Sequence, residues 1–230
     1  MKTTRNLAVI VASGLGARMD AELPKQFMEI SGKPILAFTM DCFERCNIID
    51  EIVLVVPDDY LAYTSRAIVD RYEYKKVKRI MCGGETRQES VLAGLTACPR
   101  ATDAVAIHDG VRPFVRNTLV KRLFQMVERT GAVIPAVGVK ETVKLINEDK
   151  VVSTLPREKV YISQTPQVFD YSRIFDIHKM AAEAEYEATD DAMLAEQYGM
   201  EVMVIHGYYD NIKITTPEDL VLAQEIMKKW

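Results

Sequence analysis

The sequence contains no Cys-x-x-Cys pair, no excess of basic residues and no apolar run long enough to cross a membrane. Its four cysteines stand at Cys42, Cys46, Cys82 and Cys98, and its three histidines, His108, His178 and His206, are scattered. That spacing argues against a zinc site or a disulfide framework and reads as buried, reduced thiols in a cytoplasmic protein. A formal charge of −4 argues against the broad basic footprint that nucleic acid requires, so any anion must be held by locally placed cations. The opening "MKTTRN" leads directly into "LAVIVA", which is too short for a signal-peptide core. Repeats, low-complexity tracts and an obvious interdomain linker are missing too. Neither nucleic acid nor a membrane is expected as a partner.

What is there is a chain of 230 residues, 48% hydrophobic and 27% charged, which suits one soluble domain spanning 1–230. Apolar runs recur at 7–12, 51–57, 78–84, 103–109, 132–137 and 201–207. Most are apolar almost throughout, as in strands covered on both faces. Helical patterns fall between them at 34–46, 86–98, 117–130 and 216–230. The third and fourth patterns are amphipathic, and the fourth opens on Thr-Pro-Glu-Asp, an N-cap followed by acidic first-turn residues. This alternation predicts a three-layer α/β fold with a mostly parallel sheet. One stretch departs from it. Residues 138–164 carry short β-branched runs around the turn "NEDK" at 147–150, which predicts a β-hairpin arm. Such an arm packs on a second subunit or lies on the surface of its own chain, and the pattern favours neither.

The stretch "VASGLGARMDAELPKQF" (11–27) follows the first strand. Gly14 and Gly16 fit a dinucleotide fingerprint, but Met19 stands at its third glycine. A Gly-Lys-Ser/Thr ending, needed for a Walker loop, is also missing. What remains is a glycine-rich loop followed by Arg18 and Lys25, a combination suited to a polyphosphate: amides cradle oxygens and cations neutralise charge that develops in the reaction. The plainer alternative is a solvated loop.

Beyond this loop the chain resembles the 2-C-methyl-D-erythritol 4-phosphate cytidylyltransferase family. The likeness is collinear through "ASGLGARM…PKQF" (12–27), "GGETRQESVLAGL" (83–95), "IHDGVRPFV" (107–115) and "ETVK" (141–144). It continues through "TLPREKVYISQTPQVF" (154–169), "ATDDAML" (188–194) and "DNIKITTPEDL" (210–220). The resemblance implies a Rossmann-like nucleotidyltransferase fold with a protruding β-arm exchanged in a homodimer. It implies CTP and a polyol phosphate as substrates, with Mg²⁺ assisting. Arg18 and Lys25 would stabilise the transition state, while Arg157 and Lys213 would hold the attacking phosphate. Ala12, Ser13, Gly14, Gly16, Gly83, Gly84 and Ser90 would bind CTP. Asp109, Thr142, Thr165 and Thr189 would contact the sugar hydroxyls or the substrate alcohol, with Asp109 also near the metal and Asp210 or Asn211 as a second metal-side group.

Several of these residues have plainer readings. Asp109 could cap the turn before Arg112 and bridge to it, Thr165 could be a turn residue before Pro166, and Ser90 could be an exposed helix serine. Three positions depart from the family pattern. Ser13 stands where alanine or glycine is usual, Gly110 where alanine or serine is common, and Pro156 where an acidic or amide residue precedes the arginine. A ribitol-5-phosphate cytidylyltransferase shares "QTPQ" and "NIKIT" and is the nearest alternative. A non-catalytic nucleotide-binding module is the alternative from another class, and the presence of Lys25 and Arg18 argues against it.

Overall fold

The computed structural model describes residues 4–14 and 23–230. The strands in chain order are β1 (Asn6–Val11), β2 (Glu29–Ile30), β3 (Lys33–Pro34), β4 (Glu51–Val56), β5 (Val77–Cys82), β6 (Ala104–Asp109) and β7 (Ala132–Gly138). They continue with β8 (Lys144–Asn147), β9 (Lys150–Thr154), β10 (Tyr161–Ser163), β11 (Gln167–Asp170) and β12 (Met203–His206). The helices are α1 (Ile35–Arg45), the single turn α2 (Leu61–Tyr63), α3 (Arg87–Thr96), α4 (Asn117–Thr130), α5 (Tyr171–Glu183), α6 (Asp191–Gln197) and α7 (Pro217–Met227).

The main sheet runs β10-β7-β11-β6-β1-β4-β5, with β12 paired to β7. The pairs β1–β4, β1–β6, β4–β5 and β7–β12 are parallel, whereas β11 and β10 run antiparallel to their neighbours. Strand β1 shows why the apolar runs lack alternation. Ala8 and Ile10 enter a core with Phe43, Leu54 and Phe124, while Leu7, Val9 and Val11 enter another with Val55, Leu95 and Phe169. With helices on both faces, both sets of side chains must be apolar. The six expected strands and four expected helices all form, each within three residues of its expected limits.

The sequence pattern does not pick out β11, α5 or α6. Strand β11 offers only Val168 and Phe169 as consecutive apolar residues, too short a run to mark a strand, yet it is inserted between β6 and β7.

The hairpin forms as expected. Strands β8 and β9 make their own two-stranded sheet, with Asn147 opposite Lys150. Glu148 and Asp149 both have positive φ, 46° and 63°, as a two-residue type I′ turn requires. The end of the 138–164 segment does not belong to the arm, because Tyr161–Ser163 returns to the main sheet and pairs with β7. The cysteines need one correction: Cys42, Cys46 and Cys98 are buried free thiols, but Cys82 is exposed.

Candidate active site

The C-terminal ends of β1, β4, β5 and β6 surround a cleft of about 520 Å³. Ligand sites in open α/β sheets form at this end of the strands. Of the expected residues, Ala12, Ser13, Gly14, Lys25, Gly83, Gly84, Ser90, Asp109 and Lys213 line it together. Gly16 and Arg18 lie outside the described residues.

Lys25 is placed by the residues around it. Pro24 sets the entry to a 3₁₀ turn over Lys25–Phe27, and Phe27 N donates back to Pro24 O at 2.9 Å. Gln26, almost fully buried, donates from Nε2 to Ala12 O at 2.6 Å, tying this turn to the end of β1. Phe27 is buried and stacks on Tyr60 with ring centroids 5.0 Å apart. One hydrogen bond and one aromatic anchor thus flank the lysine. Nothing in the sequence pattern singles out Gln26.

The second glycine segment is a closed wall. A Cβ on Gly83 would lie 2.3 Å from Ser13 Cβ and 2.8 Å from Ser90 Oγ, so only glycine fits. The amides here are already taken. Gly83 N donates to Val56 O, Gly84 N to Ser90 Oγ, and Glu85 N and Thr86 N to Glu89 Oε2. Thr86 and Glu89 form a capping box at the start of α3. Ser90 is buried, contrary to its plainer reading as an exposed helix serine.

Asp109 ends β6 and holds three cations. Arg87 Nε lies 3.2 Å from Oδ1, while Arg112 Nε and Lys213 Nζ lie 3.2 Å and 3.1 Å from Oδ2. Burial opposes its charge, but Arg87, Lys213 and Arg112 outweigh burial and hold its carboxyl well below the usual carboxylate range. Arg87 also reaches the buried Asp191 at 2.8 Å. There too burial opposes the charge, and Arg87 with His178 brings the pKa down to about 2. The reading of Arg112 as a bridge to Asp109 is what the structure contains. Arg87 has no role in the sequence reading, although a signal exists: a cation in the first turn of a helix faces an unfavourable dipole and needs a carboxylate partner.

Thr165 lies behind Asp109, not in the cleft. Its Oγ1 accepts from Asp109 N at 3.1 Å and donates to His108 Nδ1 at 2.9 Å. His108 Nε2 then donates to Arg112 O at 3.2 Å. Both ring nitrogens are used, and burial lowers the His108 pKa to about 3. His108 is therefore a neutral structural group, not a base.

Thr142 and Thr189 are exposed, and neither lines the cleft. Arg157 is exposed beyond the arm, donating to Lys140 O at 3.1 Å, and does not line the cleft of its own chain. Pro156 starts the 3₁₀ turn that carries it. At Gly110 a Cβ would lie 2.8 Å from Ala12 Cβ, which accounts for the smaller residue.

Among the described residues, no three His, Cys, Asp or Glu side chains gather as a metal cage. Both Asp109 oxygens face cations. Asp210 pairs with Arg116, Asn211 Nδ2 holds Thr165 O at 3.0 Å, and neither lines the cleft. Among the described residues, this donor set does not fit a metal resident on the protein.

A cleft of this shape, with Lys25 and Lys213 facing a glycine wall, matches the motifs that carry the family resemblance, and the family model matches residues 7–229. The chain belongs to the 2-C-methyl-D-erythritol 4-phosphate cytidylyltransferase family. The enzyme of that name from Geotalea uraniireducens is 40% identical over 226 residues, covering 97% of each chain. The one from Clostridium acetobutylicum is 42% identical over 225 residues, covering 97% of this chain and 98% of the relative. In structure, 4-diphosphocytidyl-2C-methyl-D-erythritol synthase from Anaerococcus prevotii is similar with a TM-score of 0.88 and 35% identity, covering 98% of this chain and 97% of the other. These matches favour the methylerythritol acceptor over the ribitol alternative. No helix among the described residues is long and apolar enough to cross a membrane.

Proposed function

We propose that the chain transfers CMP from CTP to 2-C-methyl-D-erythritol 4-phosphate, giving 4-diphosphocytidyl-2-C-methyl-D-erythritol and pyrophosphate, a step of non-mevalonate isoprenoid synthesis. The observation that carries this reading is the convergence of Lys25, Lys213 and the Ser13–Gly83–Ser90 wall on one cleft in a chain of this family.

The acceptor's phosphate monoester has a second pKa of about 6, so it is already anionic at neutral pH. No general base is needed, in keeping with a neutral, fully bonded His108. A phosphate oxygen forms a bond to the α-phosphorus of CTP as the bond to the bridging oxygen of pyrophosphate breaks, and that oxygen takes the electron pair. The protein aligns two polyanions and neutralises their charge. Lys25 and Arg18 act on the α-phosphate, and Lys213 holds the acceptor phosphate. Asp109 holds Lys213 in place at 3.1 Å. The divalent ion comes as part of the substrate MgCTP, on triphosphate oxygens, since Mg²⁺ is commonly bound through substrate phosphates.

The working unit in this reading is a single domain over 1–230 whose arm reaches a second copy of the chain, in the cytoplasm. Leu145, Ile146, Val151 and Val152 leave the arm with exposed apolar side chains, which supports a covered arm in a homodimer. Arg157 would then serve the other copy's cleft. Thr142 and Thr189 are assigned to the acceptor side of that shared site, and Thr165 acts through the Asp109 amide.

The test is pyrophosphate release from CTP, Mg²⁺ and methylerythritol 4-phosphate. Release that depends on the acceptor supports transfer. Release that is the same without acceptor means hydrolysis, and tight CTP binding with no release means a binding module.

A further inference from the structure

Arg87 divides one edge of its guanidinium between two carboxylates. Nε donates to Asp109 Oδ1 at 3.2 Å, and Nη2 donates to Asp191 Oδ2 at 2.8 Å. An arginine edge of this kind commonly closes on both oxygens of one carboxylate, giving two parallel hydrogen bonds. Here it closes on neither. At Asp109 the other oxygen, Oδ2, is used by Lys213 Nζ at 3.1 Å and Arg112 Nε at 3.2 Å. At Asp191 the other oxygen, Oδ1, lies 3.2 Å from His178 Nε2. An ionised carboxylate only accepts, so His178 is the donor there.

Asp191 and His178 are buried and do not line the cleft, whereas Arg87, Asp109 and Lys213 do. Asp191 stands in the first turn of α6 and His178 on α5, so the pair meets Arg87 from behind the cleft wall. The neighbouring Asp190 is engaged elsewhere: Oδ1 accepts from Met193 N, and Oδ2 accepts from Ser163 Oγ and Gln167 Nε2.

We propose that Asp191, oriented by His178, is a positioning residue for Lys213: by holding Arg87 Nη2 it stops Arg87 from closing on both Asp109 oxygens and leaves Oδ2 to the lysine. Without the Asp191 charge, the freed prong of Arg87 turns to the carboxylate that Nε already holds. Lys213 then loses the contact that fixes its ammonium for the acceptor phosphate. The inference rests on the cytidylyl-transfer reading above, in which Lys213 holds that phosphate.

The experiment measures kcat and the KM values for CTP and for methylerythritol 4-phosphate in wild type, Asp191→Asn and the double variant Arg87→Met/Asp191→Asn. Thermal denaturation confirms that each is folded. Asp191→Asn keeps the shape and removes the charge. It should raise the acceptor KM about tenfold, the factor that one charge-assisted hydrogen bond provides, and leave the KM for CTP unchanged. The double variant removes the competing guanidinium and leaves Asp109 to Arg112 and Lys213, so its acceptor KM should return toward the wild-type value. A residue that only supports the fold gives no such recovery, because the second substitution adds to the first. An unchanged acceptor KM in Asp191→Asn, or no recovery in the double variant, overturns the proposal. If Asp191→Asn does not fold, the double variant, which loses both members of the buried pair, decides alone: a near-wild-type acceptor KM supports the proposal and a raised one overturns it. Wild-type protein that transfers no CMP overturns the transfer reading and this inference with it, whereas normal wild-type transfer with either failure above overturns only the inference.

Discussion

Arg87 donates from Nε to Asp109 Oδ1 at 3.2 Å across 22 residues of sequence, from the first turn of α3 to the end of β6. The same guanidinium reaches Asp191 at 2.8 Å, so one planar side chain holds two buried carboxylates. Removing it leaves both without their principal partner. Arg87→Met is expected to cost about 3–5 kcal/mol, read from a shift in the urea midpoint. Arg87→Lys should recover only part, since a single ammonium cannot reproduce the fork. A shift under about 0.5 kcal/mol for Arg87→Met would show that the bridge contributes little.

Lys25 sits between the buried Gln26 and Phe27 on one side and the fixed Pro24 on the other. The Gln26 bond to Ala12 O and the Phe27 stack on Tyr60 do not involve its ammonium. Lys25→Ala should lower kcat roughly 10²–10³-fold with the circular dichroism spectrum of a folded protein. Full activity in this variant would remove the proposed role.

Acid stability should follow His108. Its pKa is lowered from 6.5 to about 3, so between those values the unfolded chain binds a proton that the folded chain does not. Stability therefore rises with pH through this window. The contribution is fully present above about pH 6.5 and is lost as pH falls through about 3. The Asp191 contribution is present above the unfolded carboxylate value of about 3.9 and is lost as pH falls through about 2. Denaturant titrations should give a slope of up to about 1.4 kcal/mol per pH unit between pH 6.5 and 4. His108→Gln should flatten that segment and leave the carboxylate-driven fall below it. An unchanged slope would mean that another group titrates there.

Gly83 has no room for a side chain beside Ser13 and Ser90. Gly83→Ala should raise the KM for CTP and cost about 1–3 kcal/mol of stability, because the wall must shift. Calorimetric CTP titration and a thermal melt check both expectations; wild-type values in both would contradict the geometry.

The shared site predicts complementation. Arg157→Ala and Lys213→Ala homodimers should each be inactive. Subunit exchange should then restore roughly a quarter of wild-type sites, because half of the dimers are mixed and each has one intact cleft. Mixed dimers, verified by mass spectrometry, that show no activity would place Arg157 in its own chain's site or outside catalysis.

The elements visible in the sequence are those with a strong local period. Strands β1, β4 and β6 are built on runs of buried apolar residues, and α4 has a clear amphipathic face. The turn at Glu148–Asp149 was marked by its polar residues alone. Strand β11 was not, because its pairing depends on β6 and β7, far away in sequence, and not on its own two apolar residues. The site divides in the same way. Gly83 and Lys25 sit in motifs, whereas the bridge from Arg87 to Asp191 spans 104 residues and follows from packing alone. Asp109 could be singled out by position, but its three cationic partners come from α3, the following turn and the approach to α7.

The activity predictions above depend on CMP transfer with methylerythritol phosphate as acceptor. The most direct measurement offers CTP, Mg²⁺ and equal concentrations of methylerythritol 4-phosphate and ribitol 5-phosphate to the wild-type protein and identifies the products by phosphorus NMR. The expected products are diphosphocytidyl-methylerythritol and stoichiometric pyrophosphate. Diphosphocytidyl-ribitol as the main product, or no diphosphocytidyl product at all, would contradict it.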